Sequence, residues 1–151
     1  MPARVICAVD DSSSSRKAAS FAATFSRELG IPLELVHIVP GKASGHFAAR
    51  STRDAEERQF KEGARLLREL AERLRIPAKL GLHAGDPRKR LIEVATEEHA
   101  VILIVGSSSG SKRLGSVARH AVAKAPCPVI VVPSWRGFLQ PNPVLTAVWA
   151  Q

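Results

Sequence analysis

Tyrosine is absent from this chain, and aromatic residues of every kind make up only 5% of it. The core of a 151-residue chain must then be filled by Val, Leu, Ile and Ala, which suits a parallel sheet covered by helices. Cysteine is nearly as scarce. Cys7 and Cys127 each lie in or beside an apolar run, and neither has a CxxC partner. That excludes a disulfide framework and reads as two buried free thiols in a reducing compartment. No apolar run approaches the length of a membrane span, and the N-terminus has no basic flank leading into a long apolar stretch. Neither a membrane span nor a signal peptide is expected, and the cytoplasm is the expected location. His37, His46, His83, His99 and His120 show no HxxxH-type spacing, so no metal site is expected.

What is plentiful is positive charge, a net +8. Acids and bases interleave through the middle of the chain, as on a solvated surface. No Lys/Arg block alternates with aromatics, so nucleic acid is not an expected partner. Attraction to a small anionic ligand accounts for the charge equally well.

Along the chain, apolar runs alternate with helical periods. Ala3 to Val9 reads as a buried strand, ended by Asp10, Asp11 and four serines that offer caps for a helix. Ala18, Phe21, Ala22, Phe25 and Leu29 share one helical face, and Gly30 ends it. Leu33 to Val39 is the second strand. Residues 41–52 have no period and read as a loop. The helix from Arg53 to about Arg75 directs Phe60, Ala64, Leu67, Ala71 and Leu74 inward, with Glu57–Lys61 and Glu69–Arg73 as outer pairs. Ala78 to Ala84 alternates as an edge strand. Gly85-Asp86-Pro87 starts a helix that carries Leu91, Ile92 and Ala95 inward to about Glu98.

The organising stretch runs from Val101 to Pro133: an apolar strand ending at Gly106, a Gly/Ser loop, a helix opening at Gly115-Ser116, and a second apolar strand after Pro126-Cys127-Pro128. This is a right-handed βαβ unit, and the whole order β α β α β α β α β specifies a single doubly wound α/β domain with a five-stranded parallel sheet. Ligands in such sheets bind beyond the carboxyl ends of the strands. The loop between Gly106 and Gly115 lies there. Lys112, Arg113, Arg119 and Lys124 follow Gly106 with no acid among them. Glycine lets backbone approach an anion, serine donates, and a helix start presents N–H groups. The loop reads either as a phosphate cradle or as a plain charged connection.

Gly106-Ser107-Ser108-Ser109-Gly110 matches the hydrolase elbow G-x-S-x-G literally. Its triad would need His120 inside the next helix, which is poor placement, so a hydrolase is the weakest reading. No acid in the loop offers a general base or a Mg²⁺ ligand, and the chain reads as a non-enzyme or at most a slow ATPase.

Taken together and in order, several segments resemble the universal stress protein family over residues 3–133. They are Val9-Asp10, the Leu35–Val39 strand, Gly85-Asp86-Pro87, Ile104-Val105-Gly106-Ser107, Gly115-Ser116-Val117-Ala118 and Pro126–Val132. The resemblance implies a Rossmann-like sheet in the order 3-2-1-4-5 and a homodimer. It also implies a stress-response or signalling module binding ATP, with Mg²⁺ accompanying the nucleotide. The alternative within the same family is a dimeric scaffold that binds no nucleotide and acts through protein contacts.

The family's loop pattern is G-x2-G-x9-G-[S/T]. Gly106 matches the first Gly and Gly115-Ser116 the last pair. Ser109 stands where the second Gly belongs, with Gly110 one residue away, and the run to Gly115 is four residues short. By the same resemblance Asp10 contacts ribose and adenine, its other reading being a cap on the first helix. Ile38 contacts adenine, and Ser107 and the Val117 N–H lie at the phosphates. Residues 1–133 are expected to form the domain and 134–151 an extension. In the extension Trp135, Phe138, Leu139 and an expected strand from Val144 to Trp149 are too apolar to lie free in water.

Overall fold

Among the described residues, each apolar run of the sequence becomes a strand and each 3.6-residue period a helix. In chain order they are β1 (Arg4–Ala8), α1 (Ser13–Leu29), β2 (Leu33–Pro40), α2 (Arg50–Leu74), β3 (Ala78–Gly85), α3 (Pro87–Glu97), β4 (Ala100–Gly106), α4 (Ser116–Lys124) and β5 (Val129–Val132). The structure, a computed structural model, describes residues 3–41, 50–107 and 113–134. Ser108, Ser109, Gly110, Lys112, most of the 41–52 loop and the whole expected tail strand lie outside these residues.

All strand pairs are parallel, in the order β3-β2-β1-β4-β5. The chain steps outward from β1 to β2 and β3, then returns to the other side of β1 for β4 and β5. The direction of winding therefore reverses between β1 and β4, and their carboxyl ends diverge into a crevice.

Side chains alternate across this sheet and build two cores. Val5, Cys7, Leu33, Leu35 and Ile104 pack under α1 and α2. Ile6, Val36, Leu103 and Val105 pack under α3 and α4. Cys7 is fully buried as expected, and burial pushes its thiol pKa far up, so it is an inert packing group.

The inward faces differ in detail from those read off the sequence. On α1 the buried stripe is Ser14, Ser15, Ala18, Ala19, Ala22, Ala23 and Ser26. Phe21 and Phe25 stack on each other at its margin, and Leu29 is exposed. Small residues let the helix axis approach the sheet, a choice that hydrophobicity alone does not register. On α2, Phe60 is exposed, whereas Leu67 and Leu70 are buried. The helix begins three residues before the expected Arg53. Its outer ion pair is Arg65 with Glu69 at 2.9 Å, not Glu69 with Arg73. On α3, Val94 joins Leu91 and Ala95 in the core, while Ile92 is only half-buried.

Candidate functional site

A cavity of about 350 Å³ occupies the crevice beyond β1, β2 and β4. Asp10, Ile38, Gly106, Ser107, Gly115, Ser116 and Val117 all line it, so residues far apart in sequence share one wall. Ser109 and Gly110 lie outside the described residues.

The β1–α1 turn forms one side. The Asp10 N–H donates to Ser15 Oγ at 2.6 Å, and Asp10 Oδ1 accepts from the Ser12 N–H at 2.8 Å. Ser12 Oγ then accepts from the Ser15 N–H at 3.1 Å and caps α1. The capping role read as an alternative for Asp10 therefore belongs to Ser12. Asp10 braces the turn, and its exposed carboxylate keeps an oxygen for another donor.

The opposite side is the β4–α4 connection. The Ser107 N–H donates to the Val132 carbonyl at 2.9 Å, which fixes Ser107 to the end of β5. Its own carbonyl accepts from the Gly115 N–H at 2.7 Å. That bond closes the loop at its neck and brings Gly106-Ser107 beside Gly115-Ser116 despite the short intervening sequence. Gly115 is the N-cap of α4 and has no side chain, so the cap residue itself offers no acceptor to the first-turn N–H groups of α4.

Gly106 has a structural reason to be glycine. A Cβ there would fall onto Ser14 Oγ and lie 2.9 Å from the Ser14 carbonyl carbon. The first turn of α1 rests on the end of β4 at this point, as close helix–strand contact requires. At Gly115, φ is −65°, a backbone any residue adopts, so what matters there is the missing side chain.

Three helix N-termini converge on the cavity, and they are not equivalent. α1 is capped by Ser12, and α3 by Asp86, whose carboxylate accepts from the Arg88 N–H at 3.0 Å. The Arg88 side chain and backbone hold the Asp86 carboxyl below its ordinary pKa, so it remains charged. Only α4 presents an uncapped, partly positive end to the cavity.

Several lining residues were not singled out in the sequence as site residues: His37, Pro40, Pro87 and Leu91. Pro87 and Leu91 belong to α3, and no sequence signal says that its first turns close a cavity built by β1, β2 and β4. His37 Nδ1 lies 2.7 Å from the Val9 carbonyl, which ties β2 to the end of β1. It also walls a second groove of about 470 Å³ between β2 and α2. A Cβ at Gly63 would lie 2.8 Å from His37 Cδ2, so α2 seats directly on the imidazole.

The family model of the universal stress protein family matches residues 1–133. A universal stress protein of Thermus aquaticus is 27% identical over 136 residues, covering 85% of this chain and 96% of its own. Among solved structures, an Arabidopsis thaliana universal stress protein with AMP bound shares 20% identity and a TM-score of 0.68, covering 95% of this chain and 99% of its own. A universal stress protein in complex with cyclic AMP shares 22% identity and a TM-score of 0.69, covering 89% of this chain and 99% of its own.

Proposed function

The chain belongs to the universal stress protein family, and from that premise we propose that its strand-end cavity binds an adenine nucleotide, with the phosphate at the start of α4. The observation that carries this reading is the uncapped helix end at Gly115, set across the cavity from the Asp10 carboxylate and the Ile38 side chain. A helix start with free N–H groups and no competing side chain accepts an anion. A carboxylate accepts from ribose hydroxyls, and Ile38 with Pro40 offers apolar surface for a base.

A single phosphate suits this geometry better than three. Two of the three convergent helix ends already carry a capping side chain, Ser12 on the Ser15 N–H and Asp86 on the Arg88 N–H. The loop, four residues shorter than the family pattern, also has fewer amides to wrap a triphosphate chain. The preferred ligand is then a nucleoside monophosphate, open or cyclic, the class named for the two solved relatives, and ATP with Mg²⁺ binds more weakly. Asp10 is the one acid among the described lining residues. It cannot serve at once as ribose acceptor, metal ligand and general base, which supports a binding module over an ATPase.

Calorimetry with AMP, cyclic AMP and ATP–Mg²⁺ tests the reading. The expected result is saturable heat with AMP or cyclic AMP and weaker binding of ATP. No heat with any of them at millimolar concentration would support the scaffold reading.

A further inference from the structure

On the α3 side of the sheet, beside the cavity-lining Val36, two polar atoms overhang the same glycine. Gly81 of β3 pairs in register with Val36, two residues beyond Glu34 on β2. A Cβ at Gly81 would lie 2.7 Å from Glu34 Oε1 and 3.1 Å from His83 Nε2. Glu34 is 1% exposed, and neither its Oε2 nor His83 Nε2 has a hydrogen-bond partner among the described residues.

The other ring nitrogen of His83 assigns the tautomer. His83 Nδ1 lies 3.3 Å from Arg90 Nη2. A guanidinium only donates, so Nδ1 accepts and the proton of the neutral ring sits on Nε2. That leaves a buried N–H donor on Nε2 and a buried carboxyl on Glu34, both set over Gly81. Arg90 is held on its own helix by Glu93 at 2.9 Å and Glu97 at 3.1 Å, so it moves with α3. The remaining charged neighbours are Arg4 of β1, Lys79 of β3 and Glu98 beyond α3. Lys79 lies 2.7 Å from Glu98 and 3.7 Å from Glu34, and Arg4 lies 3.8 Å from Glu98.

We propose that His83 is a proton switch: on taking up a proton it exchanges Arg90 for Glu34 as its partner and loosens the first turns of α3 from the sheet. Protonated Nδ1 cannot accept from Arg90, and two cations would then face each other at hydrogen-bond distance. The carboxylate across Gly81 offers the imidazolium a counter-charge through Nε2. Gly85, at φ +139°, ends β3 just before α3 in a backbone conformation that other residues rarely adopt. Burial first, and Arg90 second, hold His83 below its ordinary pKa of 6.5. Burial first, and Glu98 second, raise Glu34 above 4.5. The neutral histidine therefore contributes stability that is complete above 6.5 and is lost as pH falls through its lowered value. Pro87 and Leu91, on either side of Arg90, line the cavity, so the switch would regulate nucleotide affinity. That consequence rests on the reading above, whereas the switch itself does not.

The test is a histidine NMR titration of the full chain, with hydrogen exchange of the α3 amides over the same pH range. His83 should titrate below 6.5. Arg90→Met should raise its midpoint and Glu34→Gln should lower it. Exchange at Leu91 to Val94 should accelerate with the same midpoint and lose that dependence in His83→Gln. AMP affinity should fall several-fold between about pH 7.5 and 5.5 in the parent and stay flat in His83→Gln. A midpoint at or above 6.5 in the parent, or one unmoved by either charge variant, overturns the switch, as does α3 exchange that ignores it. Absence of AMP binding at every pH would sink the nucleotide reading alone, because the titration and exchange still decide the switch.

Discussion

Ser14 of α1 and Gly106 of β4 are in contact so close that no side chain fits between them. The glycine that heads the loop thus serves the junction of helix and strand as well as the cavity beside it. Gly106→Ala should destabilise the fold by about 1–3 kcal/mol, the usual cost of overpacking. Ser14→Ala should not rescue it, because the Ser14 backbone carbonyl carbon and oxygen remain 2.9 and 3.0 Å from the new Cβ. Urea unfolding of the two single variants and the double variant measures this. Full rescue would show that the hydroxyl alone is responsible.

Gly115→Asp separates helix stability from ligand binding. An aspartate at this N-cap would accept from the first-turn N–H groups and improve α4 by a few tenths of a kcal/mol. The same carboxylate would occupy the phosphate seat and repel the anion. The expected outcome is an unchanged or slightly raised Tm together with at least a tenfold loss of AMP affinity. Retained affinity would move the phosphate elsewhere.

Asp10→Asn keeps an oxygen to accept from the Ser12 N–H, which lies 2.8 Å from Oδ1 in the parent. The turn should survive, with stability changed by less than about 1 kcal/mol. The charged acceptor for ribose hydroxyls is lost, and AMP affinity should drop by about 1 kcal/mol or more, the difference between charged and neutral hydrogen bonds. A calorimetric titration identical to that of the parent would leave Asp10 with the turn alone.

Glu34 sets a pH dependence of opposite sign to that of His83. Its folded pKa is raised above 4.5 by burial and then by Glu98. The stabilisation it contributes is complete below 4.5 and is lost as pH rises through the folded value. The stability of the parent relative to Glu34→Gln should therefore decline from about pH 4.5 upward. A difference that grows with pH would mean that Lys79 and Arg4 dominate burial.

β5 is an edge strand in which Val129, Ile130 and Val131 are half-buried and Val132 is fully buried. Pro128 and Val132 turn their carbonyls to β4, accepting from Leu103 and Ser107, so Val129 and Val131 turn their backbone outward. An apolar edge with free donors favours pairing with a second copy. We expect a homodimer through this edge. Val131→Pro, which removes an outward N–H and leaves the inward ladder intact, should convert it to a monomer by light scattering. A parent that is monomeric at micromolar concentration would refute the expectation.

Strand number, parallel direction and the α/β alternation were legible because each depends on local periods of two and 3.6 residues, which a chain carries wherever it folds. Most caps were legible for the same reason: Gly30 and Asp86-Pro87 act within one turn of themselves, whereas which of Asp10 and the four serines caps α1 was settled only by the turn geometry, in favour of Ser12. Gly106 and Gly115-Ser116 could be picked out because they flank a Gly/Ser loop between an apolar run and a helical period, and all three line the cavity. What the sequence left open depends on distances between elements. The exposed Phe60 and the alanine face of α1 follow from how closely each helix packs on the sheet. Pro87 and Leu91 reach the cavity only because β4 returns beside β1 and puts α3 over the crevice. The juxtaposition of Glu34 and His83 over Gly81 is of the same kind. Forty-nine positions separate the two residues in sequence, and only the parallel register of β2 and β3 sets them over one glycine, where burial then changes their proton affinities.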